Sequence, residues 1–273
     1  MRNQNIGHAL FAPLAPPTQE RPYRLDTDQK IVRPYVARAS VAPSVEQPNG
    51  TTSYVKRYQD YSVMQQHCIY WDRDEDGVIW PYDTWVGFRN LGFNFIFSFF
   101  AVIVIHTALS LPSRLAMSWI PDPYFRIYLM SIHKDKHGSD SGIFDTEGRF
   151  IPSRFEDMWV KYTAPPNSLP ASADKLPPPK EMMTYNQLWN FIRGNRVAMD
   201  PFGWTASFLE WSVAFLLLQK DGMLYKEDVR MLLDGSIFFK VKAERESKRG
   251  WNQGFGLGGD GFFGEKRSLP FSI

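Results

Sequence analysis

Twelve residues, Asp72 to Asp83 (DRDEDGVIWPYD), concentrate the chemistry of this chain. Carboxylates stand at loop positions 1, 3, 5 and 12, with Gly77 at position 6 and Ile79 at position 8. A calcium ion takes oxygen ligands delivered in that order by a loop that turns sharply at its glycine. The expected ligands are the carboxylates of Asp72, Asp74, Asp76 and Asp83 and the backbone carbonyl of Val78, with Trp80 at the water-mediated position. An acidic surface turn is the bland alternative, and the number of constraints met within one short loop argues against it. Position 12 carries Asp83 where such loops usually carry Glu. Its shorter arm lowers the expected calcium affinity and leaves magnesium open as an occupant.

The remaining groups suited to chemistry are five histidines (His8, His67, His106, His133 and His137) and one cysteine, Cys68. No histidine pairs with the cysteine at zinc spacing, and His133 and His137, four apart, lack the glutamate of a metalloprotease helix. For any one of them a hydrogen-bonded or solvated side chain is the ordinary reading. Met64, Cys68 and Trp71 share a helix face by their spacing of four and three. Cys68 therefore reads as core rather than nucleophile, and His67 lies one residue off that stripe.

The elements that must position these residues follow from composition and periodicity. With 273 residues and 44% hydrophobic content, the chain can bury a sizeable core in one domain with long arms. A net charge of +2, without a dominant basic cluster, gives no reason to expect a nucleic-acid partner. The single cysteine excludes an intramolecular disulfide framework and suits a reducing compartment. MRNQNIGHALFAP has no sustained apolar run, so no secretory signal is expected. Residues 1–60 hold seven prolines and read as a Pro-rich arm wrapped on the surface or partly disordered. Residues 61–90 hold the helix-loop-helix of the acidic loop, with Pro81 opening its second helix.

Residues 91–123 form a hydrophobic segment with a proline-rich end. Leu91 to Leu111 contains no Asp, Glu, Lys or Arg. As a helix it would span about 30 Å, the thickness of a bilayer's hydrocarbon core. A bilayer span, a buried central helix and a monotopic anchor all satisfy the pattern, although Asn94, Ser98 and His106 weaken the span. Pro112, Pro121 and Pro123 are expected to stop or redirect the helix. SRLAMSW between them is amphipathic enough for an interface.

Beyond it, residues 124–245 read as short strands at IYLM and RFI, a helix over 153–162, a Pro-rich linker over 164–180 and a helix capped by Thr184. Asp200-Pro201 opens a further helix carrying Phe208, Trp211, Phe215 and Leu218. KDGMLYKEDVRMLLDG keeps the Asp-Gly turn, Leu224 and Asp228 of a calcium loop but lacks its first two carboxylates. It is expected to be the degenerate, ion-free partner of the first loop. Residues 246–273 are expected to form a disordered tail. The fold class expected is mainly α: an EF-hand paired with a degenerate second EF-like loop, a membrane-anchor helix and few short strands.

The motifs taken in order resemble the caleosin family. QQH at 65–67 abuts the acidic loop, and WVGFRNLGFN leads into the uncharged segment. IHKDKHGSDSG (132–142), DTEGRF, GNR (194–196), DPFGW (200–204), EW (210–211) and LDGSIF (233–238) follow, so the resemblance covers roughly residues 20–245. It implies a calcium-binding peroxygenase with haem b and Ca2+ as cofactors, associated with a lipid-droplet monolayer or the endoplasmic reticulum membrane on its cytosolic side. By motif the haem-holding histidines map to His67 and His137, with His133 a third candidate catalytic residue, and which is the axial ligand stays open.

The implied reaction passes oxygen from a fatty acid hydroperoxide to an unsaturated lipid, a distal acid–base group assisting O–O cleavage. The resemblance also favours the monotopic anchor for the apolar segment. Asp83 and the loosely spaced prolines depart from the family pattern, which bears on calcium affinity and droplet targeting respectively. Two other readings fit the same residues: a non-catalytic calcium-binding lipid-droplet docking protein, and a soluble calcium sensor that buries its apolar helix. Homo-oligomerisation is left open.

Overall fold

A computed structural model describes residues 26–163 and 181–247. The expectations for the far N-terminus, the 164–180 linker and residues 248–273 of the tail lie outside the described residues, whereas residues 246–247 end a helix.

Order along the chain begins with two short helices, α1 (Thr27–Lys30) and α2 (Thr52–Arg57), joined by an extended segment. That segment packs on the body. Arg38 pairs in a β-bridge with Phe150, Ala42 is fully buried, and the Val45 amide donates to Glu156 Oε1 at 2.9 Å. Buried charges fix it further. Lys226 Nζ lies 2.6 Å from Glu46 and 2.7 Å from Glu156, and Arg230 donates to the Ala42 carbonyl and to Asp234. Each buried charge is paired and bonded, which their removal from water requires.

Next come α3 (Val63–Ile69), the acidic loop, β1 (Val78–Ile79), α4 (Pro81–Asn90), α5 (Phe95–Arg114), β2 (Ile127–Tyr128) and a 3-10 segment, Leu129–Asp135. Helix α3 starts at a reciprocal cap, in which Ser62 Oγ accepts from Gln65 N and Gln65 Oε1 accepts from Ser62 N. Asn94 caps α5 through the Phe97 amide at 2.7 Å. The second half holds α6 (Pro152–Thr163), β3 (Met182–Thr184), α7 (Tyr185–Gly194), α8 (Pro201–Leu218), β4 (Met223–Tyr225), α9 (Lys226–Asp234) and α10 (Ser236–Ser247). The fold is mainly helical, and among the described residues four strands form two antiparallel pairs.

The strand pairing corrects one expectation. β1 pairs with β2, Ile79 opposite Ile127, and β3 pairs with β4, Met183 opposite Leu224. The degenerate loop before β4 is therefore not the partner of the acidic loop. Each finds a nearer partner that carries no calcium-loop signature, so motif matching alone could not identify either one. The buried Ile79, Ile127 and Ile132, with Met64, Cys68 and Trp71 against them, form the small core under the first pair. The stripe Met64–Cys68–Trp71 is thus on one face, as its spacing requires.

Helix α5 has its polarity reversed. Its buried residues are Ser98, His106, Ser110 and Ser113, while Phe95, Ile96, Phe99, Phe100, Ile103, Val104 and Leu111 are exposed. The reading that buries this helix in a soluble core is overturned by that arrangement. Pro112 lies inside the helix, which continues to Arg114, so the first proline does not stop it. The chain is redirected only after Leu115. Helices α5 and α8 are both long and apolar enough to cross a membrane.

Candidate functional site

Two assemblies of polar groups emerge around α3. The first is the acidic loop that follows it. Oxygen atoms of Asp72, Asp74 and Asp76 all lie within 4.8 Å of one another, a group able to hold a metal ion. The loop is shaped by its own backbone. Asp72 accepts the amides of Asp76 (3.2 Å) and Gly77 (2.8 Å), Asp76 accepts that of Val78, and Gly77 turns the chain at φ +82°. Such a turn favours glycine because a Cβ would crowd the backbone. Burial pushes the Asp72 carboxyl up to about 6, against the pull of the Gly77 amide, with the neighbouring Asp76 and Asp74 charges adding to the rise.

Asp83 stands outside that trio. Its Oδ2 accepts the Trp80 amide at 3.0 Å, and its Oδ1 faces Arg73 at 3.6 Å. Val78 lies in β1, beside the trio in sequence and opposite Tyr128. A cleft of about 330 Å³ opens beside the loop, lined by Arg57, Tyr70, Asp72, Arg73, Glu75 and Lys242 among others, and no histidine lines it.

The second set of groups is the candidate histidines, which have separate partners: His67 meets Leu232 and Phe238, and His137 meets Glu210 and Phe202. His67, on α3, turns away from the Cys68 stripe toward α9 and α10. Its Nδ1 lies 2.7 Å from the Leu232 carbonyl, and its ring meets Phe238 edge-on. A carbonyl can only accept, so Nδ1 carries the proton and Nε2 keeps its lone pair. That Nε2 makes no hydrogen bond among the described residues. Burial lowers the His67 pKa, which keeps the ring neutral. A neutral imidazole whose far nitrogen is anchored to a carbonyl is the form that binds metals.

His137 follows the 3-10 segment, in the KHGSDSG stretch. Its Nε2 lies 3.7 Å from Glu210 Oε2 on α8, and its Nδ1 is buried without a partner. The Glu210 carboxylate raises the His137 pKa against the effect of burial. The stretch is clamped by the α8 N-cap, Asp200, whose Oδ2 accepts the Ser139 amide (2.8 Å) and hydroxyl (2.7 Å). Those bonds hold the Asp200 carboxyl below the usual range. KHGSDSG and DPFGW, far apart in sequence, thus meet at one place. His133 is partly buried at the surface of the 3-10 segment.

Cys68 is chemically quiet, because burial, with the nearby Asp135 charge, pushes its thiol up to about 12. Asp135 itself, its oxygens buried, is pushed by burial up to about 8 against the pull of the Ser113 backbone amide. The sequence gives no site role to Glu210, Asp200 or Asp135. For Glu210 a signal existed: it is the one ionisable residue in the 18-residue α8. Asp200 reads from sequence only as a cap, and Asp135 gives no sign of being buried.

Residues 59–242 match the family described as Caleosin related protein. A peroxygenase of Lilium longiflorum is 36% identical over 235 residues, 86% of this chain and 91% of that protein. An Arabidopsis thaliana protein named probable peroxygenase 4 is 32% identical over 191 residues, 70% of this chain and 90% of that one. A further Arabidopsis thaliana relative, named probable inactive peroxygenase-like protein, is 25% identical over 163 residues, 59% of this chain and 70% of its own length. No solved structure matches the chain significantly.

Proposed function

The chain belongs to the caleosin family, and from that premise we propose that it is a calcium-binding, haem-dependent peroxygenase of lipid surfaces. It would transfer oxygen from a fatty acid hydroperoxide to an unsaturated lipid, on the cytosolic face of a lipid droplet or of the endoplasmic reticulum membrane. The peroxygenase activity follows the named relatives that share most of this chain. The observation that carries the cofactor is the state of His67, neutral and anchored at Nδ1 with a free Nε2.

That donor chemistry fits a haem b, for which an imidazole is a common axial ligand. His67 and His137 are the two residues that would hold the group, with His133 as the third candidate. When bound, haem supplies an iron centre able to cleave a hydroperoxide O–O bond and pass the oxygen on. The chain's own part is to present a neutral imidazole at His67 and to keep the His137 stretch fixed through Ser139 and Asp200. His137, beside the Glu210 carboxylate, is suited to holding or moving a proton.

Calcium would take the loop of Asp72, Asp74 and Asp76, with the Val78 carbonyl and Asp83 completing the set in an EF-hand manner. Asp72 lies five residues after His67, so an occupied loop would stiffen the end of the helix that carries the candidate ligand.

Lipid association rests on the reversed polarity of α5. Ser98, His106, Ser110 and Ser113 face the protein together with Phe97 and Ile105, while Phe95, Ile96, Phe99, Phe100 and Ile103 face outward, which suits a helix whose outer solvent is oil. Trp119, Ile120 and Tyr124, just beyond it, are also exposed, as befits residues at a headgroup boundary. We therefore favour a monotopic anchor, which brings an oily substrate to the site.

The test is an absorption spectrum of detergent-purified protein reconstituted with hemin, beside the His67→Ala, His137→Ala double variant. A Soret band present in the wild type and lost in the variant is expected. A folded wild type that takes up no haem would overturn the reading in favour of a non-catalytic calcium-binding docking protein, for which the α5 surface alone suffices.

A further inference from the structure

Helix α8 is apolar on both of its sides. Trp211, Ala214, Phe215 and Leu218 are buried against the core, while Phe202, Phe208 and Leu209 are exposed. A helix at a water boundary turns charged residues outward, and one that is apolar all round lies in a core or in oil. Glu210 is the one charged residue of α8, and most of the helix is not buried.

The loop that enters α8 extends this face. Val197 is 49% exposed and Met199 is 93% exposed. Met199 also holds φ +59°, a left-handed conformation that residues with a side chain seldom adopt. The loop is nevertheless fixed. Trp204 Nε1 donates to the Val197 carbonyl at 2.8 Å, and the Val197 amide donates to Ser139 Oγ at 3.1 Å. A strained, well-supported backbone thus holds a methionine out where almost none of it is covered by the fold, and strain of this kind clusters where proteins bind.

Charge indicates what this face meets. Arg193, in the last turn of α7, and Arg196 are both exposed beside the loop. The nearest acid on the loop, Asp200, is turned inward onto the Ser139 and Gly203 amides. An apolar tip rimmed by guanidinium groups is complementary to an anionic phospholipid surface, with phosphates at the rim and acyl chains at the tip. We propose that residues 197–199 and the outward face of α8 form a second lipid-contacting surface, separate from α5, that docks on anionic phospholipid. This rests on the lipid-surface reading above. The surface adjoins the KHGSDSG stretch, since Ser139 holds Val197 and the Phe202 ring stands edge-on to His137 with centroids 6.4 Å apart. Lipid held there lies beside that candidate histidine.

The experiment attaches a nitrobenzoxadiazole probe to full-length protein at Met199→Cys, at Phe100→Cys on α5, and at Asp60→Cys as an exposed control. Wild type, with its quiet Cys68, is the labelling blank. Each protein is reconstituted into phosphatidylcholine–phosphatidylserine vesicles with and without spin-labelled phosphatidylcholine. Blue-shifted emission and quenching by the spin label are expected at 199 and 100, and neither at 60. Val197→Ser, Met199→Ser and Phe202→Ser together should weaken vesicle binding about a hundredfold with unchanged circular dichroism. Arg196→Gln should lower the preference for phosphatidylserine-containing vesicles over pure phosphatidylcholine about fivefold. Quenching at 199 no greater than at 60, with quenching at 100, would overturn the proposal and leave the lipid reading intact. A blue shift at 199 without quenching would give the face to a protein segment and overturn it equally. Absence of quenching at both 199 and 100 would overturn both readings.

Discussion

Thr84 hydrogen-bonds His106 across the interface between α4 and α5, Oγ1 to Nε2 at 2.7 Å. The other ring nitrogen, Nδ1, donates to the Phe125 carbonyl at 2.6 Å, so Nε2 must accept the Thr84 hydroxyl proton. Thr84 directly follows the last residue of the acidic loop, and His106 sits in the apolar helix. One buried chain of bonds therefore ties the exit of the acidic loop to the apolar helix and to the segment that returns from it.

Replacing Thr84 with Val keeps the shape and removes the donor. Both residues are 2% exposed, so the His106 nitrogen would be left buried and unpaired. A loss of about 1–3 kcal/mol is expected, the cost of an unsatisfied buried group. Urea denaturation in detergent measures it. A Thr84→Val, His106→Leu pair that is less destabilised than Thr84→Val alone would assign the loss to this bond, and a Thr84→Val midpoint equal to wild type would refute it.

The outward face of α5 gives a second expectation. Phe99, Phe100 and Ile103 are each close to half exposed. Moving such surface from water to oil gains about 1 kcal/mol per side chain, so Ser at all three positions should weaken partitioning into triacylglycerol droplets roughly a hundredfold. Folding should be untouched, because none of the three belongs to the core. Flotation with droplets reads the first effect and circular dichroism the second. Undiminished flotation would remove α5 as the anchor.

Calcium affinity should depend on pH through Asp72. Its carboxyl, pushed up to about 6 by burial, is ionised at pH 7.5 and mostly protonated at pH 5. The ion must then displace a proton, and affinity is expected to fall about tenfold between those values. The sign for the metal-free fold is opposite. A carboxyl whose folded pKa exceeds its ordinary value stabilises the fold most at pH below about 4, and that contribution is lost as pH rises through 6. Isothermal titration at the two pH values tests the affinity. A flat profile would mean that Asp72 is not a ligand.

Asp83 suggests a gain of function. One of its oxygens is spent on the Trp80 amide, and the other faces Arg73. Glu would add one methylene of reach and allow both oxygens to meet the ion, as position 12 of a calcium loop does. Asp83→Glu should tighten calcium about tenfold while changing magnesium little, since magnesium tolerates bidentate carboxylates poorly. Competition titrations with both ions read this out, and equal tightening of both would count against the argument.

Much of this architecture is legible in the sequence because local signals coincide with it. Thr184 and Asp200 cap their helices as the sequence pattern indicates, and Met64, Cys68 and Trp71 share a face by spacing alone. The motif order also brings His67 and His137 forward as candidates. What could not be read is long-range partnership. The pairing of β1 with β2 depends on a two-residue strand with no loop signature, and the clamp between Ser139 and Asp200 joins positions 61 apart. The orientation of α5 is hidden for another reason. An all-round apolar helix has no periodicity to read, so its few serines and one histidine mark the inward face only once their partners are known.

Those long-range contacts expose one last vulnerable point, the turn between α9 and α10. Gly235 adopts φ +82°, and a Cβ there would lie 2.5 Å from the Gln66 carbonyl oxygen and 2.7 Å from the His67 Cα. Both neighbours are backbone of the helix that carries the candidate ligand, so neither can swing aside as a flexible side chain would. Gly235→Ala must therefore strain the left-handed turn and push α3 away from α9. The strained backbone costs about 1–3 kcal/mol before any clash. The same displacement lengthens the bond from His67 Nδ1 to the Leu232 carbonyl, which fixes the imidazole for ligation. Lower thermal stability together with weaker hemin binding is expected, measured by melting curves and by Soret titration. A variant that loses stability yet binds hemin as tightly as wild type would show that the position of α3 against α9 does not set the ligand.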